Sequence, residues 1–220
     1  MRNKFDAQLR QLNREMTNMG SMIEDAIQKS IQALFAQDVK TAEKIVELED
    51  EIVDQQKKIE NICFQLLIQQ QPVASDLRTV TAAMKMVTDM SRIGDNAGDI
   101  SELTIIMAEN PYVMKVENIR KMAAETILML IHALEAYVEK DAVKAREVMD
   151  HDDIVDDLFL QVKDELIETM RTNPDHEEQA ADLLMVNKYL ERIGDHAVNI
   201  AEWVIFAVNG DPRITQAFYE

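Results

Sequence analysis

Oxygen-bearing side chains recur at helical spacing in two copies of one short stretch. The first reads Arg92-Ile93-Gly94-Asp95-Asn96-Ala97-Gly98-Asp99-Ile100, the second Arg192-Ile193-Gly194-Asp195-His196-Ala197-Val198-Asn199-Ile200. They lie 100 residues apart in a chain of 220, and the same offset aligns Glu102 with Glu202. That distance marks duplication of a half-chain unit, since solenoid repeats recur every ~20–50 residues. On a helix turning about 100° per residue, Asp95, Asp99 and Glu102 share one strip. Glu191, Asp195, Asn199 and Glu202 occupy the same strip in the second copy. Met90, Ile93, Ala97 and Ile100, with Leu190, Ile193, Ala197, Ile200 and Val204, fall on the far side and form the expected core face.

A second acidic set precedes each copy: Glu47-Leu48-Glu49-Asp50-Glu51-Ile52-Val53-Asp54, and Asp150-His151-Asp152-Asp153-Ile154-Val155-Asp156-Asp157. Acids stand four apart in both, Glu47 with Glu51 and Asp50 with Asp54, then Asp152 with Asp156 and Asp153 with Asp157. Each such like-charge pair costs a helix roughly 0.2–0.5 kcal/mol. A helical hairpin would bring each set against the ladder that follows it, so two rows of carboxylates would oppose each other across a groove. A cation between them relieves that repulsion, and several bridging carboxylates allow a multinuclear site. Oxygen ligands suit magnesium, calcium, manganese and iron better than zinc. The competing reading is a solvated acidic surface without an ion, as on most charged helix faces.

Catalytic chemistry finds little support. None of the four histidines has a glutamate three residues before it, so the Glu-x-x-His pairs of di-iron carboxylate bundles are missing. There is no His-Glu-x-x-His, phosphate-binding glycine loop or nucleophile elbow, and the expectation is a protein that is not an enzyme. His196 falls off the acidic strip, whereas His151 sits inside an acidic cluster and is the stronger candidate ligand. Gly94 and Gly194 lie within helices, where glycine costs roughly 1 kcal/mol against alanine; a close neighbour, backbone or ligand, is expected at each.

The net charge of −18, from 41 acidic and 23 basic residues, would repel nucleic acid and anionic lipid surfaces. Divalent cations or a partner with a basic surface fit it better. The single cysteine, Cys63, sits in an apolar run and reads as a buried small hydrophobe. The opening residues lack the apolar core of a signal peptide, and no run reaches the ~18 apolar residues of a membrane span, so the cytoplasm is the expected location.

Six long helices must position the acids. Apolar steps of three and four run from about Asn3 to Ala36, then from an Asp38 N-cap towards Gln71, where Pro72 intervenes. Ser75 or Asp76 opens a third helix ending near Glu109. Past Asn110-Pro111 the plan repeats, with helices from about Lys115 to Glu139, Asp141 to Arg171 and Asp175 to Asn209. Asn173-Pro174 divides the last two, and Gly210-Asp211-Pro212 closes the sixth. The expected fold is all-α: two tandem three-helix bundles related by internal duplication, spectrin-like, with residues 1–110 in the first and 111–220 in the second.

These residues resemble a known family. Gln70-Gln71-Pro72-Val73-Ala74-Ser75-Asp76-Leu77-Arg78, followed by Arg92-Ile93-Gly94-Asp95 and later by Glu191-Arg192-Ile193-Gly194-Asp195-His196-Ala197-Val198-Asn199-Ile200, is similar to the PhoU family of phosphate-transport regulators over nearly the whole chain. The resemblance implies two similar three-helix bundles and metal binding through Glu/Asp-x-x-x-Asp motifs, with iron, zinc, magnesium or manganese, singly or in multinuclear clusters. It implies a negative regulator of phosphate uptake and of the phosphate-starvation response. Such a protein is an adaptor between the ATPase subunit of a phosphate ABC transporter and the cytoplasmic domain of a sensor histidine kinase. It is peripheral to the membrane through those partners and commonly a homodimer. The alternatives are a metal-free helical scaffold and an accessory protein of a low-affinity phosphate permease. Glu191 and Asp195 match the motif in the second half. In the first, Ser91 replaces the earlier acid and Asp99 extends the ladder one turn, so a weaker or differently selective first site is expected. The second half also lacks the Pro-Val-Ala-Ser-Asp-Leu-Arg stretch, and its turn should differ.

Overall fold

The computed structural model describes residues 2–110 and 117–210, with side chains from Lys4 onward. Pro111, the expected start of the fourth helix at Lys115, and the residues after Gly210 lie outside the described residues. Six helices follow in order: α1 (Arg2–Ala36), α2 (Val39–Gln70), α3 (Ser75–Met107), α4 (Glu117–Glu139), α5 (Ala142–Thr172) and α6 (Glu177–Asn209). No strand occurs among the described residues. Helices α1–α3 pack as one three-helix bundle and α4–α6 as a second. The bundles meet where α3 lies against α6 and α1 against α4.

Periodicity explains the core. Leu12, Met16, Met19, Ile23 and Ile27 of α1, Ile52 and Ile59 of α2, and Met90, Ile93, Ala97 and Ile100 of α3 are buried. Leu190, Ile193, Ala197, Ile200 and Val204 play the same part in α6. The helix termini obey local chemistry. The Asp38 carboxylate accepts from the Thr41 amide, and that of Asp141 accepts from the Val143 and Lys144 amides, closing orphan donors at the starts of α2 and α5. Gly210, left-handed at φ 68°, caps α6 by donating to the Phe206 carbonyl.

The turns between the second and third helices of the two bundles differ, as expected. Between α2 and α3, Gln71 and Ala74 both take positive φ (47° and 49°), an uncommon state for residues with a Cβ. Between α5 and α6 a single 3-10 turn, Pro174–His176, follows Asn173. It delays α6 to Glu177, two residues past the expected start at Asp175. No described helix is long and apolar enough to cross a membrane.

The inter-bundle seam carries polar contacts on both its sides. Asp89 of α3, only 9% exposed, places its Oδ1 2.9 Å from His196 Nδ1 and 3.3 Å from Asn199 Nδ2 of α6. On the α1–α4 side Tyr137 Oη donates to Asn13 Oδ1 at 3.0 Å, and Leu134 lies against Gly20 where a Cβ would otherwise stand.

Candidate functional site

Each bundle carries an acidic groove between its second and third helices. In the first, α2 lies so close to α3 that a Cβ added at Gly94 would come 2.8 Å from Ile52 Cδ1. One turn further along α3, a Cβ at Gly98 would fall on the Glu49 carboxylate. Glycine at these two positions lets α2 settle onto α3 and lets Glu49 lie across it. Gly94 does have a close neighbour, but it is a side chain of α2 in place of the expected backbone or ligand.

That seat has an electrostatic consequence. Burial raises the Glu49 pKa, and the fields of Asp95, Glu102, Asp99 and Asp50 raise it further, to about 7. Burial also raises Asp95, against the lowering fields of Arg92 and His196. Asp99 is raised by burial, then by Glu102 and Asp95, against the field of Arg192. Five carboxylates from two helices thus share one field. Helix α6 of the other bundle borders it, since burial and then the Asp99 field raise the Tyr189 phenol.

In the second groove Asp152 takes the place of Glu49. Its Oδ1 would lie 3.3 Å from a Cβ on Gly194, and Val155 Cγ1 3.4 Å from it. Burial pushes Asp152 up to about 6, helped by Asp156, Asp195 and Asp153 and opposed by His151. His151 Nε2 lies 2.7 Å from Glu125 Oε2 of α4. Glu191 forms an ion pair with Lys188 on its own helix. Burial raises Glu202, and the field of Asp89 adds to it.

The structure thus brings together Asp95, Asp99, Glu102 and Asp50 around Glu49, and Asp153, Asp156 and Asp195 around Asp152. Other candidates are not among the groups that act on Glu49 or Asp152. Glu47 and Glu51 are exposed, and Asp54 pairs with Lys57 at 3.0 Å. Asp150 and Asp157 are likewise exposed. Asn199 bonds across the seam to Asp89. Two residues escaped the sequence reading: Glu49, named there but not chosen, and Asp89. Glu49 stands three residues before the core residue Ile52, at the edge of the apolar stripe; in α2 the i,i+4 pairs Glu47–Glu51 and Asp50–Asp54 are all exposed. Among the described residues, no three His, Cys, Asp or Glu side chains are already drawn together tightly enough to hold a metal ion. The donors on these strips are all oxygen, the ligand type that hard cations take.

Fold and grooves together define a class: a duplicated three-helix-bundle protein with a carboxylate-lined cleft in each half. The PhoU domain model matches residues 16–104 and again 119–204. A Clostridium acetobutylicum protein named phosphate-specific transport system accessory protein PhoU homolog is 39% identical over 207 residues, covering 94% of each chain. A Synechocystis protein of the same name is 34% identical over 212 residues, 95% of this chain and 93% of its own. The crystal structure of PhoU from Pseudomonas aeruginosa superposes with a TM-score of 0.90 at 31% identity, covering 94% of this chain and all of that one. The phosphate transport system regulatory protein PhoU from Streptococcus pneumoniae gives a TM-score of 0.86 at 27% identity, over 94% of this chain and 98% of its own. The chain belongs to the PhoU family.

Proposed function

We propose that this chain is an accessory regulator of phosphate transport that binds metal in its two grooves and restrains phosphate uptake and the phosphate-starvation response. It acts as an adaptor between the ATPase subunit of a phosphate ABC transporter and a sensor histidine kinase, as a cytoplasmic homodimer without catalysis of its own. Family membership supports the phosphate role, and the relatives' names favour the phosphate-specific transport system over a low-affinity permease. The observation that carries the metal reading is the carboxylate of Glu49 seated over Gly98 in the field of Asp95, Asp99 and Glu102.

Glu49, Asp95, Asp99 and Glu102 would hold a cation in the first groove, and Asp152, Asp156 and Asp195 one in the second. When bound, the metal supplies positive charge that offsets the repulsion between opposed carboxylates. The chain's own residues do the rest. Ile52 and Val155 hold α2 and α5 against Gly94 and Gly194, which keeps the grooves narrow. Glu49 is half-buried, so part of its desolvation is met on folding.

Two measurements test this reading. Elemental analysis of protein purified without chelator should find manganese, magnesium, iron or zinc, and manganese titration should show saturable uptake. Metal-free protein that takes up none of these ions at millimolar concentration leaves a helical scaffold in place of a metal protein. Pull-down of the purified transporter ATPase subunit and, separately, of the kinase cytoplasmic domain tests the adaptor role; failure of both refutes it.

A further inference from the structure

We infer that the α2–α3 end of the first bundle is a contact surface for a second copy of this chain, the two copies meeting tip to tip about a two-fold axis. The inference rests on the homodimer reading above and deepens it by saying where the copies meet.

The sequence marks that end. Residues 61–75, from Asn61 to Ser75, include no charged residue, the longest such run in a chain of which 29% is charged. The fold leaves large apolar side chains there in water. Phe64 is 49% exposed, Ile68 75%, Val73 73% and Leu77, just past the run, 42%. Phe64 and Ile68 stand one helical turn apart on α2. Leu77 precedes Asp95 by 18 residues, about five turns, and so shares the line of α3 that borders α2. Together these four expose roughly 400 Å² of apolar surface, a patch of the size that marks interaction sites on soluble proteins. Val73 crests the turn beside Ala74, which is held at φ 49° and ψ −119°, a state rare for a residue with a Cβ.

The second bundle shows the same end without these features. In the register that pairs Ile52 with Val155, the matching residues 164–178 include seven charged ones. Arg171 then stands for Ile68, and at the 100-residue offset of the ladders Glu177 stands for Leu77.

Charge selects the occupant. Each copy carries a net charge of −18, and a two-fold contact lays a patch on its own copy, so an acidic face would meet an acidic face. The tip escapes that repulsion. Its exposed polar side chains, Asn61, Gln65, Gln69 and Gln71, are amides with both donors and an acceptor, able to pair with their own kind. A standard interface takes ~800 Å² from each partner; the apolar patch supplies about half, and the amides lie beside it. Topology then sets the shape. Arg78 near the start of α3 lies against Gly210 at the end of α6, while Ile106 and Asn110 share a cleft with Asp175 and Glu178. The two helices therefore run antiparallel, and the two turns occupy opposite ends of the molecule. With α3 about 50 Å long, a tip-to-tip dimer is about 100 Å long.

Sedimentation velocity and small-angle X-ray scattering of the full chain over a concentration series test this. Wild type should dimerise, with a maximum dimension of about 100 Å. Ile68→Asp and Val73→Asp each set an unpaired charge in the contact and should weaken the dimer at least about tenfold. Helix content by circular dichroism should stay unchanged, because both side chains are exposed in the single chain. Ile167→Asp, the counterpart of Phe64 in the second bundle, should leave the dimer intact. A dimer that survives both substitutions, weakens in Ile167→Asp instead, or has the short dimension of a side-by-side pair overturns the inference while the homodimer reading stands. Monomeric wild type overturns both. In that case deletion of residues 211–220 that releases dimerisation gives the tip to the chain's own tail, and capture of the transporter ATPase subunit that Ile68→Asp abolishes gives it to that partner.

Discussion

Replacing Glu49 by glutamine should make the metal-free protein more stable at pH 8, although the change removes a charged residue from a well-packed helix pair. Glu49 has its pKa raised from 4.5 to about 7 in the folded chain, by burial first and by the fields of Asp95, Glu102, Asp99 and Asp50 after it. Between pH 4.5 and about 7 the folded state holds a proton on Glu49 that the unfolded chain has released. Stability therefore falls as pH rises through this window, and is flat below and above it for this group. The unscreened conversion at ~1.4 kcal/mol per pH unit is roughly 3 kcal/mol. Solvent reaches part of the carboxylate, which reduces the cost to about 1–2 kcal/mol. Glu49→Gln, neutral at every pH, loses this penalty. Its advantage over wild type should grow from pH 4 to pH 7 and then level off, reaching roughly 2–8 °C in melting temperature for a chain of this size. Urea unfolding in EDTA at pH 4, 5, 6, 7 and 8 measures the difference directly. Saturating manganese should reverse the order at pH 8, since a ligand bound only to the folded state adds about 2.7 kcal/mol at a hundred times its Kd. A stability difference that stays constant across the pH series, or that turns against the glutamine variant as pH rises, would refute the account of the first groove.

Three further outcomes follow from the packing. Gly94→Ala gains about 1 kcal/mol of helix propensity but sets a Cβ 2.8 Å from Ile52 Cδ1, so a net loss of roughly 1–2 kcal/mol in urea unfolding is expected from overpacking; Ile52→Val, which removes that methyl, should restore most of it in the double variant. Asp89→Ala strands His196 and Asn199 at a seam where Asp89 is 9% exposed, and should cost about 1–3 kcal/mol, more than Asp150→Ala on the exposed face of α5. Cys63 is fully buried and its thiol is pushed up to about 12, so reaction with a thiol reagent at pH 8 should be absent in native protein and appear at the urea midpoint.

Much of the fold was legible because helix period and breakers agree along the whole chain. Steps of three and four in Leu12, Met16, Met19, Ile23 and Ile27 name the buried face of α1, and Asp38 and Asp141 are capping residues by type and by geometry. The turn after α5 was harder to place. Pro174 is compatible with the first position of either an α-helix or a 3-10 turn, and only packing decides that α6 begins at Glu177. The seam was illegible for a different reason. Asp89 is one acid among many on an acidic chain, and its role depends on which face of α3 meets α6, which local spacing does not encode.

The site was half legible, and its missing half was within reach of a simple argument. In an antiparallel helical hairpin both arms rise ~1.5 Å per residue, so residues equidistant from the turn stand at the same height. Asp95 lies 23 residues after Pro72, and 23 before Pro72 stands Glu49. Asp195 lies 21 residues after Pro174, and 22 before Pro174 stands Asp152. Counting from the turns thus selects the two carboxylates that share a field with the ladders, whereas i,i+4 spacing finds Asp152 in α5 but in α2 selects Glu47, Glu51, Asp50 and Asp54 and passes over Glu49. Like-charge pairs on a single helix measure only what that helix tolerates. Opposition across a hairpin measures what the fold tolerates, and there the chain has placed its most perturbed acids, at the level of the repeated glycines that bring the helices close.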